Sequence, residues 1–282
     1  MKILVTGSNG QLGSELQQLV ALLPDSEWIF TDVADLDITG GEQVMKYFQQ
    51  QRFDYCINCA AYTAVDKAEE DREFCDKINI SGARNLATAC NEVGAQLFHI
   101  STDFVFDGTA SRPLHEEQET SPVNYYGLSK LNGERAVAES MDAYFIIRTS
   151  WLYSIYGSNF VKTMLRLSET KDQLTIIADQ IGTPTYALDL AKVILKLITE
   201  KRTEHGIYHY SNEGAASWYD FTCAIFEYRN ISTKVLPIPT EQYPTPAKRP
   251  HYSVMDKTRI RETFDLKIPH WRESLKACLK EF

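Results

Sequence analysis

Along the first half of the chain, short unbroken apolar runs alternate with stretches where apolar residues return every three or four positions. The runs are Lys2–Thr6, Glu27–Thr31, Tyr55–Asn58, 96–101 and 144–148, and each reads as a strand. Between them, Leu12, Leu16, Leu19 and Leu23 form one stripe of a helix over 12–23. Gly41–Gln51, 71–93 and 129–140 carry the same spacing, the long 71–93 stretch as one helix or two. Strands with one wet face would alternate apolar and polar residues. These do not, so both faces are covered. Strand–helix alternation of this kind predicts an α/β fold with a doubly wound parallel sheet.

The second half is less regular. Helical spacing recurs over 159–168 and 186–198, and 174–178 reads as a strand. Pro237, Pro239, Pro244, Pro246 and Pro250 crowd one stretch, which should be rich in loops. The change of texture near Trp151 divides the chain. Residues 1–150 are expected to form one domain. Residues 151–282 form a smaller α/β domain on the end of the sheet, some segments of which return to the first. No internal repeat or low-complexity segment appears.

Chemistry enters at the first turn. Gly7, Gly10 and Gly13 follow the first strand and open the first helix. Glycines there permit a tight turn and a close approach of backbone to a pyrophosphate, which the helix N-terminus also attracts. This places a dinucleotide at Gly7, Gly10, Gln11, Leu12 and Gly13 of a Rossmann-type domain. Asp32 ends the second strand about 20 residues on, where a carboxylate accepts from ribose hydroxyls. A carboxylate would repel a 2′-phosphate, so NADH is slightly favoured over NADPH. Asp37 and Ile38 are placed against the adenine. Ala61, Tyr62 and Thr63, after the third strand, are placed along the nicotinamide half.

Tyr126 and Lys130 form Y-x-x-x-K. On a helix, positions four apart share a face, so the ammonium is expected beside the phenol, lowering its pKa from roughly 10. Such a phenol exchanges protons with a carbonyl oxygen near neutral pH. Ser101-Thr102-Asp103 closes the strand over 96–101. Thr102 is placed as a second donor to the same oxygen.

Composition narrows the field. Hydrophobic residues make up 44% and charged residues 24% of 282, which is enough for a large core. Lys plus Arg number 29 against 38 Asp plus Glu, a net charge of −9 that disfavours nucleic acid and anionic membrane as partners. No apolar run approaches the roughly 18 residues of a membrane span. Cys56 and Cys59 make a C-x-x-C, but inside an apolar strand rather than at a helix start, so they read as packing residues. A cytoplasmic location is expected.

The residues also carry a resemblance. Val5–Gly13, the run from Asn58 through Thr63-Ala64-Val65-Asp66-Lys67-Ala68-Glu69, Ser101–Gly108, Tyr126–Lys130, Arg148-Thr149-Ser150-Trp151-Leu152-Tyr153 and Asp179–Thr185 resemble the extended short-chain dehydrogenases/reductases. Within these, the chain resembles the dTDP-4-dehydrorhamnose reductase branch. The match covers most of the chain to about residue 190. The resemblance implies reduction of the C4 keto group of dTDP-4-dehydro-β-L-rhamnose by NADH or NADPH in dTDP-L-rhamnose synthesis. It implies Tyr126 as proton donor, Lys130 as its partner and ribose ligand, and Thr102 as the residue that tunes Tyr126. Substrate contacts fall to Thr102, Asp103, Tyr126, Trp151, Asn159, Gly182 with its loop, and Arg249. A homodimer is implied. Some relatives bind a metal between subunits, and Glu15 could serve. No partner set accompanies it in the sequence, so Mg2+ is possible but no required metal is expected. Phe104 departs from the pattern, standing where relatives often have tyrosine. Two other readings remain open: another nucleotide-sugar epimerase, dehydratase or reductase, and a non-catalytic regulatory subunit of methionine adenosyltransferase.

Overall fold

The computed structural model describes all residues, Met1–Phe282. In the first half the elements are β1 Lys2–Thr6, α1 Gln11–Gln18, β2 Glu27–Thr31, α2 Gly41–Gln51, β3 Tyr55–Asn58, α3 Arg72–Asp76, α4 Ala83–Val93, β4 Gln96–Thr102, α5 Tyr125–Ser140 and β5 Tyr144–Thr149. Then come β6 Leu152–Tyr153, α6 Phe160–Ser168, β7 Gln173–Ile177, β8 Ile181–Gly182, β9 Thr185–Tyr186, α7 Ala187–Thr199 and β10 Gly206–His209. The chain closes with β11 Ala216–Ser217, α8 Trp218–Arg229, β12 Lys234–Ile238, α9 Thr258–Phe264 and α10 Trp271–Leu279.

Six strands form the main sheet in the order β10-β5-β4-β3-β1-β2, all parallel. Successive side chains point to opposite faces, and both faces are apolar. Ile3, Val5, Ile57, Phe98 and Ile147 join a core with α1 and α7. Leu4, Cys56, Leu97 and Ile146 join another with α2 and α4. Chain order reverses at β1, with β2 on one side and β3 on the other. The loops after β1 and β3 therefore flank the crevice where such sheets take ligands. A third core, built from Tyr153, Tyr186, Phe221 and Trp271, holds together the elements of the second half.

Several sequence expectations are corrected. The helix expected over 12–23 ends at Gln18, and the Leu stripe continues through a 3₁₀ turn, Val20–Leu22. Pro24 follows, and the residue before a proline avoids helical backbone. The helix expected from Ser129 starts at Tyr125, because the Asn124 side chain accepts from Gly127 N and caps it. The 71–93 stretch is one helical run interrupted by a π turn, Lys77–Gly82. β10, β12, α8, α9 and α10 were not anticipated. Pro237 lies within β12, which pairs only with β7 in a two-stranded sheet, an edge position proline tolerates.

One buried ion pair joins α5 to the sheet. Arg148 on β5 donates through Nε and Nη2 to the two Glu134 oxygens at 2.9 and 2.7 Å, and each side chain is 3% exposed. Ser101 Oγ on β4 donates to the same carboxylate, and the guanidinium lies over the Phe106 ring. Arg148→Met would leave Glu134 buried without a cation. Urea denaturation should show a loss of about 3–5 kcal/mol, and adding Glu134→Leu should recover more than half of it. A single variant within about 1 kcal/mol of the parent would contradict this account of the pair.

Candidate active site

The loop after β1 is pressed against the loop after β3. Gly7 has φ +63°, and a Cβ there would sit 2.6 Å from the Ala60 nitrogen. A Cβ on Gly13 would lie 2.6 Å from Ser8 Cα. Only glycine fits either position. Gly10 precedes α1 without any side-chain cap, so the first-turn amides of Gln11, Leu12 and Gly13 are open to an anion. This cradle fits a dinucleotide pyrophosphate. The Leu12 side chain is in the core, so its backbone alone faces the crevice. The Gln11 side chain donates to Leu152 O and accepts from Asn159.

Around the cradle, Asp32 accepts from Asn9 N at 3.1 Å and Val33 N at 2.8 Å, bracing the loop from the end of β2. Asp37 accepts from Thr39 N. The Ile38 side chain is buried where a Cβ on Gly82 would go, and its carbonyl accepts from Asn85. Tyr62 is fixed by Asn79 of the π turn, whose carboxamide accepts from Tyr62 N and donates to Tyr62 O. Ala61 and Thr63 flank it. Beneath lies a polar chain that the sequence reading missed. Thr6 donates to Asn58 Oδ1, which also accepts from Ala60 N, and Asn58 Nδ2 pairs with His99 Nδ1. Burial, then the Lys130 charge, holds His99 well below the usual imidazole range, so it is neutral. Polar residues inside apolar strands are the only signal that pointed to this chain. Cys56 lies in the same layer, buried near Cys90 with its thiol pushed up by burial, and all six cysteines are free.

Tyr126 and Lys130 do share a face of α5, but their expected relation is corrected. Lys130 is 2% exposed and its Nζ donates to Ile100 O at 2.7 Å, not to the phenol. Burial brings the ammonium down to about 8, with Glu134 opposing the fall. Burial pushes the Tyr126 hydroxyl above the ordinary phenol range. The Thr102 hydroxyl beside it opposes that rise and the Asp103 charge adds to it. Lys130 is cut off from water and has an acceptor on β4, whereas Tyr126 is half-buried with its ring against Phe104. The phenol therefore keeps its proton, the state a proton donor requires. Thr102 Oγ1 donates to Asp103 Oδ1 at 3.1 Å and accepts from Phe104 N. Asp103 is buried and raised to about 6 by desolvation. Phe104, the departure from the family pattern, packs edge-on against the Tyr126 ring.

On the second half, Trp151 has φ +46° and stacks on Trp218, centroids 3.5 Å apart and planes 5° apart. Trp218 was missed. Its signal was the capping box Ser217-Trp218-Tyr219-Asp220, which opens α8. Gly182 leaves room for the Trp151 indole, since a Cβ would sit 2.6 Å from Cε2. Asn159 caps α6, and its amide donates to Gln11, Ser154 and Tyr156, leaving no donor free. Arg249, expected as an open cation, instead donates from both terminal nitrogens to Asp66 at 3.0 and 2.9 Å. Glu15 is buried and accepts from Ser154 Oγ at 2.6 Å, and burial raises its carboxyl. No group of three His, Cys, Asp or Glu converges to hold a metal ion.

Comparison with known proteins bears on the fold and the family. Residues 1–282 match the family model described as RmlD substrate binding domain. A dTDP-4-dehydrorhamnose reductase of Escherichia coli (strain K12) is 40% identical over 294 residues, covering 100% of this chain and 98% of that protein. The crystal structure of a dTDP-4-dehydrorhamnose reductase from Clostridium acetobutylicum superposes with TM-score 0.96 at 48% identity, covering 100% of this chain and 99% of that one. The dTDP-4-dehydrorhamnose reductase of Bacillus anthracis, solved in complex with NADP, gives TM-score 0.96 at 43% identity with the same coverage. By its full-length match and these identities, the chain belongs to the RmlD substrate binding domain family.

Proposed function

We propose that this chain reduces the C4 keto group of dTDP-4-dehydro-β-L-rhamnose, forming dTDP-β-L-rhamnose, with NADH or NADPH as reductant. The observation that carries this is the Tyr126 phenol, beside the Thr102 hydroxyl at the carboxyl end of β4 and on the helix face that holds the buried Lys130. Tyr126 gives its proton to the C4 oxygen, and Thr102 steadies that oxygen as charge develops. The amides of Gln11, Leu12 and Gly13 hold the pyrophosphate, Asp32 and Lys130 meet ribose hydroxyls, and Ala61, Tyr62 and Thr63 line the ring pocket. When bound, the nicotinamide supplies the hydride. The Asp32 carboxylate disfavours a 2′-phosphate, whereas the Bacillus anthracis relative was solved with NADP, so both dinucleotides stay in the proposal. Trp151, backed by Trp218, offers an apolar face to a 6-deoxysugar. Arg249 reaches a sugar diphosphate only by leaving Asp66. A homodimer is part of the same reading.

Purified protein should consume one NADH or NADPH per dTDP-4-dehydrorhamnose, and less readily with UDP-4-keto-6-deoxysugars. Dinucleotide that stays bound and is recycled, with no net consumption, would favour an epimerase or dehydratase. Tyr126→Phe should lower kcat by about 10² to 10⁴ while dinucleotide affinity, followed by fluorescence titration, stays near the parent's. A loss under about twofold would remove Tyr126 from the chemistry. Lys130 is charged below about 8 and neutral above. Dinucleotide Kd should therefore rise as pH passes upward through that value. Lys130→Arg, charged at every accessible pH, should flatten the profile. A parent profile already flat across that range would contradict the role given to Lys130.

A further inference from the structure

Residues 244–250 form a strap with little backbone support. Pro244, Pro246 and Pro250 have no N–H to give, and no backbone-to-backbone hydrogen bond involves any residue of the stretch. Two side chains tie it to the rest of the chain instead. Asp66, in the loop after β3, accepts from Ala247 N at 3.2 Å and from both terminal nitrogens of Arg249. Asn124 donates from Nδ2 to the Lys248 carbonyl at 2.7 Å. Beyond the strap the chain packs beside Gly108, where a Cβ would sit 2.5 Å from Pro250 Cα. It then pairs with Ile181, next to Gly182, through His251 O and Ser253 N. The strap therefore runs from the loop after β3 to the Gly182 loop, and it carries Arg249.

Asn124 has two duties. Its Oδ1 accepts from Gly127 N at 2.8 Å and caps α5, whose second residue is Tyr126. Its Nδ2 holds the strap. Asn124 is 7% exposed, so water does not readily replace either bond. The two ties differ in kind. Asp66 holds the Arg249 side chain, and that hold ends when the guanidinium turns to another anion. Asn124 holds the backbone carbonyl just before Arg249, which the exchange leaves in place. We propose that Asn124 is a positioning residue for sugar recognition: it pins the strap to the first turn of α5, so that the Arg249 guanidinium passes from Asp66 to the sugar diphosphate while its backbone stays fixed. This rests on the reductase reading above. Asn124 acts through Lys248 and Arg249 and needs no contact with the sugar. Without the pin, binding must order the strap, and that cost comes out of the affinity.

Asn124→Ser keeps a cap oxygen for Gly127 N, since serine and asparagine serve about equally there, and removes the donor to Lys248. The sugar KM should rise about three- to tenfold, the worth of one hydrogen bond. Both kcat and the dinucleotide Kd should stay within about twofold of the parent's. A general loss of structure would lower kcat and dinucleotide affinity as well. A second readout needs no turnover. Hydrogen–deuterium exchange at the Ala247, Lys248 and Arg249 amides should quicken at least about threefold in the variant, and dTDP added to the parent should slow it. An unchanged sugar KM, a fall in kcat or dinucleotide affinity beyond those bounds, or strap amides exchanging at the parent's rate would each overturn the proposal. So would dTDP that binds the parent and leaves strap exchange unaltered. Asn124→Asp, which also caps and also lacks the donor, repeats each measurement should the serine variant not fold. A parent inert toward the dTDP-sugar would count against the reductase reading, while exchange with and without dTDP still tests the strap.

Discussion

The seam between α5 and β4 is the constraint on which the site depends. Tyr126, Lys130 and Glu134 stand four apart along one face of the helix, and each meets the strand beside it: Thr102, Ile100 and Ser101. The helix runs back over the parallel sheet, so the half-buried Tyr126 comes to the carboxyl end of β4, while Lys130 and Glu134 are buried against the strand. The Arg148 guanidinium on the next strand neutralises Glu134.

Burial along that seam does what the sequence had assigned to proximity. Tyr126 and Lys130 were expected to tune each other. In the fold, desolvation acts on both, raising the phenol and lowering the ammonium, and each finds its nearest polar partner on β4 instead. The outcome suits a reductase, since a donor must hold its proton until the carbonyl arrives. The glycine cradle works by a different route. Gly7 and Gly13 are fixed by backbone crowding against Ala60 and Ser8, which brings the β1 and β3 loops together at the sheet's switch point.

The second half contributes rigidity through a few committed contacts. Asn159 and Gln11 link α6 to the glycine loop, and Arg249 with Asp66 links the proline-rich stretch to the loop after β3. The Asp66 carboxyl is held below the usual range chiefly by its hydrogen bond from Arg249. Trp151, in left-handed backbone, is kept there by the flat face of Trp218 and the space left by Gly182.

Hydrophobic period alone determined the five first-half strands, the parallel α/β class and the position of the glycine loop, because strands covered on both faces must be continuously apolar. The spacing of Tyr126 and Lys130 set which side chains share a helix face. Only the tertiary structure decided what those side chains touch. The Thr6–Asn58–His99 chain, the Asn79 brace, the Trp151–Trp218 stack and the pairing of Arg249 with Asp66 join residues far apart in sequence. Periodicity records which way a side chain faces and carries no information about the partner waiting there. Protonation was decided the same way: the states of Tyr126, Lys130 and Asp103 follow from exclusion of water, and that exists only once the layers have closed.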